Sequence, residues 1–163
     1  MTPDVAHPRV LGYLGRALSL ELSAVQQYMT QASLVERWGE AAAAERFRLE
    51  TVEEMRHAER IVQRMLAVGV APGASQVRPV SLAADLEELL RRNAVLEDDL
   101  IAHYADAERF CSLIGDDEHQ RFFHQLWLEE REHGQELAAW LESVEAEGGP
   151  WARRVSASRQ GRS

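Results

Sequence analysis

The 163-residue chain contains no lysine; all 18 of its basic residues are arginine. That bias carries little functional content by itself, but the other absences exclude whole classes of protein. Cys111 is the sole cysteine, so neither an internal disulfide nor a Cys-x-x-Cys site for iron or zinc can form. No apolar run approaches the ~18 residues of a membrane span. The opening MTPDVAHPRV has neither the basic start nor the apolar stretch of a secretory signal. A cytoplasmic protein with no membrane partner is expected. Strand signals are essentially lacking. Positive charge is also short: 27 acids leave a net charge of -9, which argues against nucleic-acid binding through phosphate neutralisation and fits a protein that handles cations. The length allows one domain with a sizeable core.

Four long helical segments are expected. They run from about Val10 to Arg37, from Ala41 to Val68, from near Ser81 to just before Gly115, and from Asp117 to Ala146. Gly39, Gly115 and the run Gly148-Gly149-Pro150 are the stop signals, and Ser81 in SLAADLEELL is the expected cap of the third helix. The first-to-second and third-to-fourth turns are a few residues long, so each pair forms an antiparallel hairpin. The middle connection, GVAPGASQVRPV, is rich in Gly and Pro. Twelve extended residues span roughly 40 Å, enough to run the length of a bundle, but length alone does not separate that path from a slack turn. Residues 1–147 form the bundle on this reading, and 148–163 a short fifth helix or a tail carrying four arginines.

Each helix carries an apolar seam interrupted by charge. In the first the seam is Leu11, Leu14, Leu18, Glu21, Val25, Tyr28, Ala32 and Val35, spaced alternately by three and four. The third has Leu86, Leu90, Ala94, Glu97, Ile101, Tyr104 and Cys111. In the second, Glu54 and His57 fall between Phe47 and Ile61. In the fourth, Glu130 and His133 fall between Phe123, Trp127, Leu137 and Trp140. Four carboxylates and two imidazoles therefore aim at one interior. A buried carboxylate must be paired or bound to metal, and no seam cation is available: Arg56 is turned about 200° from Glu54 and Arg131 about 100° from Glu130. Oxygen and imidazole ligands without sulfur suit iron or manganese. The intervals from Glu21 to Glu54 and from Glu97 to Glu130 are both 33 residues, and the two Glu-Glu-x-x-His pentads, EEMRH and EEREH, start 76 residues apart. The hairpins are thus an internal repeat whose carboxylates meet near mid-bundle. This ligand set is that of the di-iron and di-manganese bundles.

At LGRALSLELSAVQQYMTQASLVERWG, ETVEEMRHAERIVQRML, RNAVLEDDLIAHY and LEEREHGQELAAWLE the chain resembles the bacterioferritins. The resemblance covers nearly the whole length. It implies an all-α, ferritin-like four-helix bundle with a long crossover between helices 2 and 3, assembled as a homo-oligomeric cage of 24 subunits built from dimers. It implies two iron ions per subunit, held by Glu21, Glu54, His57, Glu97, Glu130 and His133, with Glu54 and Glu130 bridging. Tyr28 matches the family's tyrosine beside the centre. Met55 matches the methionine that ligates haem b between two subunits. The implied activity is oxidation of Fe(II) to Fe(III) by O2 or H2O2, followed by storage.

The sequence also departs from that pattern. An inner-surface iron site of some members falls here on Leu49 and Glu53, which leaves it lost or weakened. Tyr104 is not expected of a bacterioferritin; a tyrosine on each side is similar to the rubrerythrins, whose Cys-rich domain the single cysteine excludes. A non-storing di-iron oxidase or peroxidase of that type is the alternative, and a non-enzymatic haem-binding or structural subunit the third reading. His103 and His124 fall off the metal seam, His7 and His119 lie near chain ends or turns, and all four are expected at the surface.

Overall fold

The computed structural model describes residues 5–148. They form four helices: α1 (Pro8–Arg37), α2 (Ala41–Ala67), α3 (Leu86–Leu113) and α4 (Asp117–Ala146). Proline at the first position of α1 loses no intrahelical bond, and His7 Nδ1 accepts from the Arg9 amide at 3.0 Å. The turns after α1 and α3 have the same construction. Gly39 and Gly115 take φ of +82° and +73°, which costs a residue without Cβ nothing. The following amides then reach back over the helix ends, Glu40 to the Val35 carbonyl and Asp116 to the Cys111 carbonyl, both at 2.9 Å. Each pair is therefore a tight hairpin.

The cap of α3 is Asp85, not Ser81. The Asp85 carboxylate accepts from the Glu88 amide at 2.9 Å, while the Ser81 hydroxyl, still in the connection, accepts from the Arg92 guanidinium. Either residue type caps well; Asp85 stands directly ahead of Leu86, Leu89 and Leu90, the first residues of α3 to enter the core.

The connection runs the length of the bundle. Its Gln76 amide donates to the Ser19 hydroxyl (3.1 Å) and its Arg78 amide to the Ser23 hydroxyl (2.9 Å), so it climbs α1 in the N-to-C direction. Arg78 then pairs with Asp99 of α3 at 2.6 Å. Consequently α3 starts at the same end as α2 and lies antiparallel to α1. Two apolar clusters fill the interior. One holds Leu14, Leu18, Leu100 and Phe123, the other Val35, Phe47, Leu90 and Trp140. The charged residues of the four seams occupy the layer between them. No described helix is long and apolar enough to cross a membrane.

Candidate metal centre

In that middle layer the fold brings six residues from four helices together. Glu21, Glu54, His57 and Glu130 place one ligand atom each within 4.8 Å of one another, and so do Glu54, Glu97, Glu130 and His133. Glu54 and Glu130 belong to both quartets. His57 Nδ1 is 2.7 Å from Glu130 Oε1 and 3.4 Å from Glu21 Oε1; His133 Nδ1 is 2.9 Å from Glu54 Oε1. Five of the six are buried, and His133 is nearly so.

The electrostatics follow from that burial. Desolvation, with the Glu130 charge added, pushes Glu21 up to about 7. Desolvation also holds Glu54 and Glu97 above the usual carboxylate range. Burial would raise Glu130 as well, but hydrogen bonds from His133 and His57 win and hold it low. Burial lowers a histidine, yet the hydrogen bonds to Glu130 and Glu21 carry His57 up to about 10, and His133 is raised mainly by Glu130. Glu21 Oε2, Glu54 Oε2, Glu97 Oε2 and Glu130 Oε2 are buried without a hydrogen-bond partner. Buried oxygens are rarely left in this way. A pair of cations between the quartets would satisfy all four, so the residues fit a dinuclear metal site.

Two tyrosines brace the layer reciprocally. The Tyr28 hydroxyl donates to Glu97, and the Tyr104 hydroxyl donates to Glu21 at 2.6 Å. Each side chain crosses from its own hairpin to a carboxylate of the other. Burial and the neighbouring carboxylates push both phenols above their ordinary range, so both keep their protons.

A buried amide cluster flanks one side. The Gln31 amide nitrogen donates to Asn93 Oδ1 at 2.8 Å, and Asn93 returns a bond to Gln31 Oε1 at 2.7 Å. Gln27 donates to the same Asn93 oxygen at 2.8 Å. Sequence reasoning missed this cluster. Its signal was a polar residue three past Tyr28 and another four before Glu97, each one turn from the centre. The repeat places Ala107 and Ala17, both fully buried, at the equivalent positions. The two halves of the layer therefore differ.

A family model described as a ferritin-like domain matches residues 11–146. The chain belongs to the ferritin family. This ferritin-family protein is 32% identical over 126 residues to the bacterioferritin of Brucella melitensis biotype 1, covering 77% of this chain and 78% of that one. It is 32% identical over 125 residues to the bacterioferritin of Rhodobacter capsulatus, with 77% and 78% covered. A solved structure of the Rhodobacter capsulatus bacterioferritin superposes with a TM-score of 0.83 at 29% identity, covering 87% of this chain and 89% of the other. That structure is described as having a metal-free dinuclear site and a haem iron in a crystallographic special position.

Met55 is 55% exposed on the outer face of α2. The antiparallel pairing that joins Arg48 to Glu36 sets Met29, 54% exposed, level with it on α1. Leu49 is exposed, and Glu53 Oε2 lies 3.5 Å from His133 Nε2. None of the four other histidines joins the centre, but their expected exposure needs correction. His103 is buried, its Nε2 2.9 Å from the Tyr13 carbonyl oxygen, and His119 is buried with its Nδ1 2.8 Å from Asp116. Both lie beside the seam on helices that touch more than one neighbour, so the buried face is wider than a single stripe. His124 is half-buried, paired with Glu108 at 2.9 Å and stacked on Trp127. His7 caps α1. Finally, a cavity of about 340 Å³ between α2 and α4 opens beside His133, lined chiefly by glutamates.

Proposed function

We propose that the protein is a bacterioferritin-like ferroxidase, which oxidises Fe(II) to Fe(III) with O2 or H2O2 and stores the product. The pair of overlapping quartets sharing Glu54 and Glu130 carries this reading. Glu21 and His57 would hold one cation and Glu97 and His133 the other, with Glu54 and Glu130 common to both quartets. Bound iron supplies the electrons, one from each Fe(II), while the protein supplies position and charge neutralisation.

The chain's own residues divide the remaining work. A histidine ligates through a neutral nitrogen and a carboxylate through an ionised oxygen, so the site sheds protons as cations enter. Tyr28 is the tyrosine next to the reacting centre. It holds one oxygen of Glu97 through its hydroxyl and leaves the second free for a cation. Tyr104 does the same for Glu21. The apolar clusters flank the layer above and below, and it opens sideways at the cavity beside His133.

Replacing Glu54 or His57 with Ala should abolish fast Fe(II) oxidation followed by ferric absorbance; an unchanged rate removes the assignment. The buried Tyr104–Glu21 bond favours a second reading, a rubrerythrin-like oxidase or peroxidase that stores no mineral. Size-exclusion chromatography separates the two: storage requires a 24-subunit cage of 18.4 kDa chains built from dimers, and a lone dimer favours the second. We propose that Met55 would help to hold a haem b shared by two subunits. Its exposure on α2 supports this, and a Soret band lost in Met55→Leu tests it.

A further inference from the structure

We propose that Tyr104 and Tyr13 form an electron path from the centre to the α1–α3 side of the bundle, through which an external one-electron reductant feeds the centre. The acceptor of the electron rests on the ferroxidase reading; the path is read from the side chains alone. Tyr104 is fully buried, and its hydroxyl donates to Glu21 at 2.6 Å. Two rings lie behind it. Between centroids, His103 is 5.9 Å away and Phe123 6.3 Å. The same two rings touch Tyr13, at 5.6 Å and 6.3 Å. These are separations of direct aromatic contact, so a single layer of rings stands between the two phenols. His103 is fixed in that layer, because its Nε2–H donates to the Tyr13 carbonyl oxygen at 2.9 Å. Tyr13 is half-buried, and its hydroxyl accepts from the exposed Arg9 guanidinium at 3.2 Å. The path thus begins at a carboxylate of the centre and ends at a phenol on the protein's rim.

The internal repeat supplies the comparison. Its 76-residue offset sets Gln27 against His103, Leu89 against Tyr13 and Phe47 against Phe123. Tyr28 bonds to Glu97 as Tyr104 bonds to Glu21, yet behind Tyr28 stands the amide cluster of Gln27, Gln31 and Asn93. The chain has three tyrosines, so Tyr13 is the only one outside the centre. A phenol can give up an electron to a strong oxidant, whereas an amide, a leucine or a phenylalanine cannot. Electron tunnelling falls steeply with distance, so two short steps through a second phenol outrun one long step. Packing alone is met by an aliphatic side chain, as the fully buried Leu89 shows in the other half.

The electrons and protons balance. H2O2 takes two electrons and two protons to become two waters, and the protons come from solvent. Tyr104 gives one electron to H2O2 at the centre while its phenol proton passes along the existing bond to Glu21 Oε1. Tyr13 then reduces the Tyr104 phenoxyl, which recovers its proton from Glu21, and the Tyr13 proton leaves to solvent. A one-electron reductant outside the protein, with ascorbate as the probe, restores Tyr13 together with a proton from solvent. Two passes consume one H2O2.

The full chain is tested first without metal. Tyr104→3-aminotyrosine makes position 104 a trap that loses an electron more easily than tyrosine does. A flash-quenched ruthenium photo-oxidant in solution removes electrons from accessible side chains, and the absorbance of the aminotyrosyl radical reports the trap. The radical should form, and adding Tyr13→Phe should remove most of it. With the trap at position 28 instead, Tyr13→Phe should change nothing. No radical at 104, an equal yield without Tyr13, or the same dependence at position 28 would each overturn the proposal. A second measurement stands even where the trap prevents folding. The unaltered chain is loaded with Fe(II), treated with H2O2 beside a nitroso spin trap, and digested for peptide mass spectrometry. The adduct is expected on Tyr13 and should vanish in Tyr104→Phe; its absence from Tyr13, or its survival in Tyr104→Phe, counts against the path. Ferric absorbance in the same samples tests the ferroxidase reading separately, and the metal-free result does not depend on it.

Discussion

Tyr104 is the residue whose part in the centre could not be read from the family pattern. Its hydroxyl satisfies one oxygen of the buried Glu21 carboxyl, as Tyr28 does for Glu97. Removing the hydroxyl strands that oxygen in a dry layer, where an unmade bond costs about 1–3 kcal/mol. Tyr104→Phe should therefore lower the urea-unfolding free energy of chelator-treated protein by that amount, and an unchanged midpoint would contradict the bond's importance. At this scale the six ligand candidates were legible in advance. A charged residue at a seam position of an amphipathic helix has nowhere to point but inward, and the matched 33-residue intervals fixed the common height. Gln31 and Asn93 were not legible, because both lie beside the seam and are buried only through the contact between α1 and α3.

At the scale of elements, the amide cluster pins the α1–α3 register on one side of the centre. Asn93→Leu alone leaves the amides of Gln31 and Gln27 without their shared acceptor, and should cost about 1–3 kcal/mol for each stranded group. The double replacement Gln31→Leu with Asn93→Leu removes both halves of the reciprocal pair and should cost less than the single change. A double-mutant cycle in urea measures the difference. The helices and turn glycines were plain from periodicity and composition. The path of the middle connection was not, since twelve residues can span the bundle or fold back. What decides it is the pair of hydroxyls at Ser19 and Ser23, one turn apart on α1, catching the Gln76 and Arg78 amides. No periodicity marks those serines as anchors.

For the whole molecule, the buried acids set a pH dependence. Glu21 and Glu50 rise from an ordinary 4.5 to about 7 through burial, and His57 rises from 6.5 to about 10 through its carboxylate partners. Each binds its proton more tightly in the folded protein than in the unfolded chain. For the two acids, that contribution is complete below pH 4.5 and is lost as the pH rises through 7. For His57 it is complete below pH 6.5 and lost as the pH rises through 10. Glu130 runs the other way, with its contribution lost as the pH falls below 4.5. The melting temperature of chelator-treated protein should therefore fall between pH 5 and pH 8. A divalent cation should reverse the trend, because it takes over the charge compensation that protons provide.

Both quartets draw on both hairpins. Glu130 is the sole contribution of the second hairpin to the first quartet, and Glu54 the sole contribution of the first hairpin to the second. Neither half of the repeat can assemble a binding position alone. If the chain were cut in the crossover, the two fragments would each hold an incomplete set of ligands and an unsatisfied tyrosine. Added metal would then be the adhesive that rejoins them, and metal affinity would also measure whether the two halves are correctly mated.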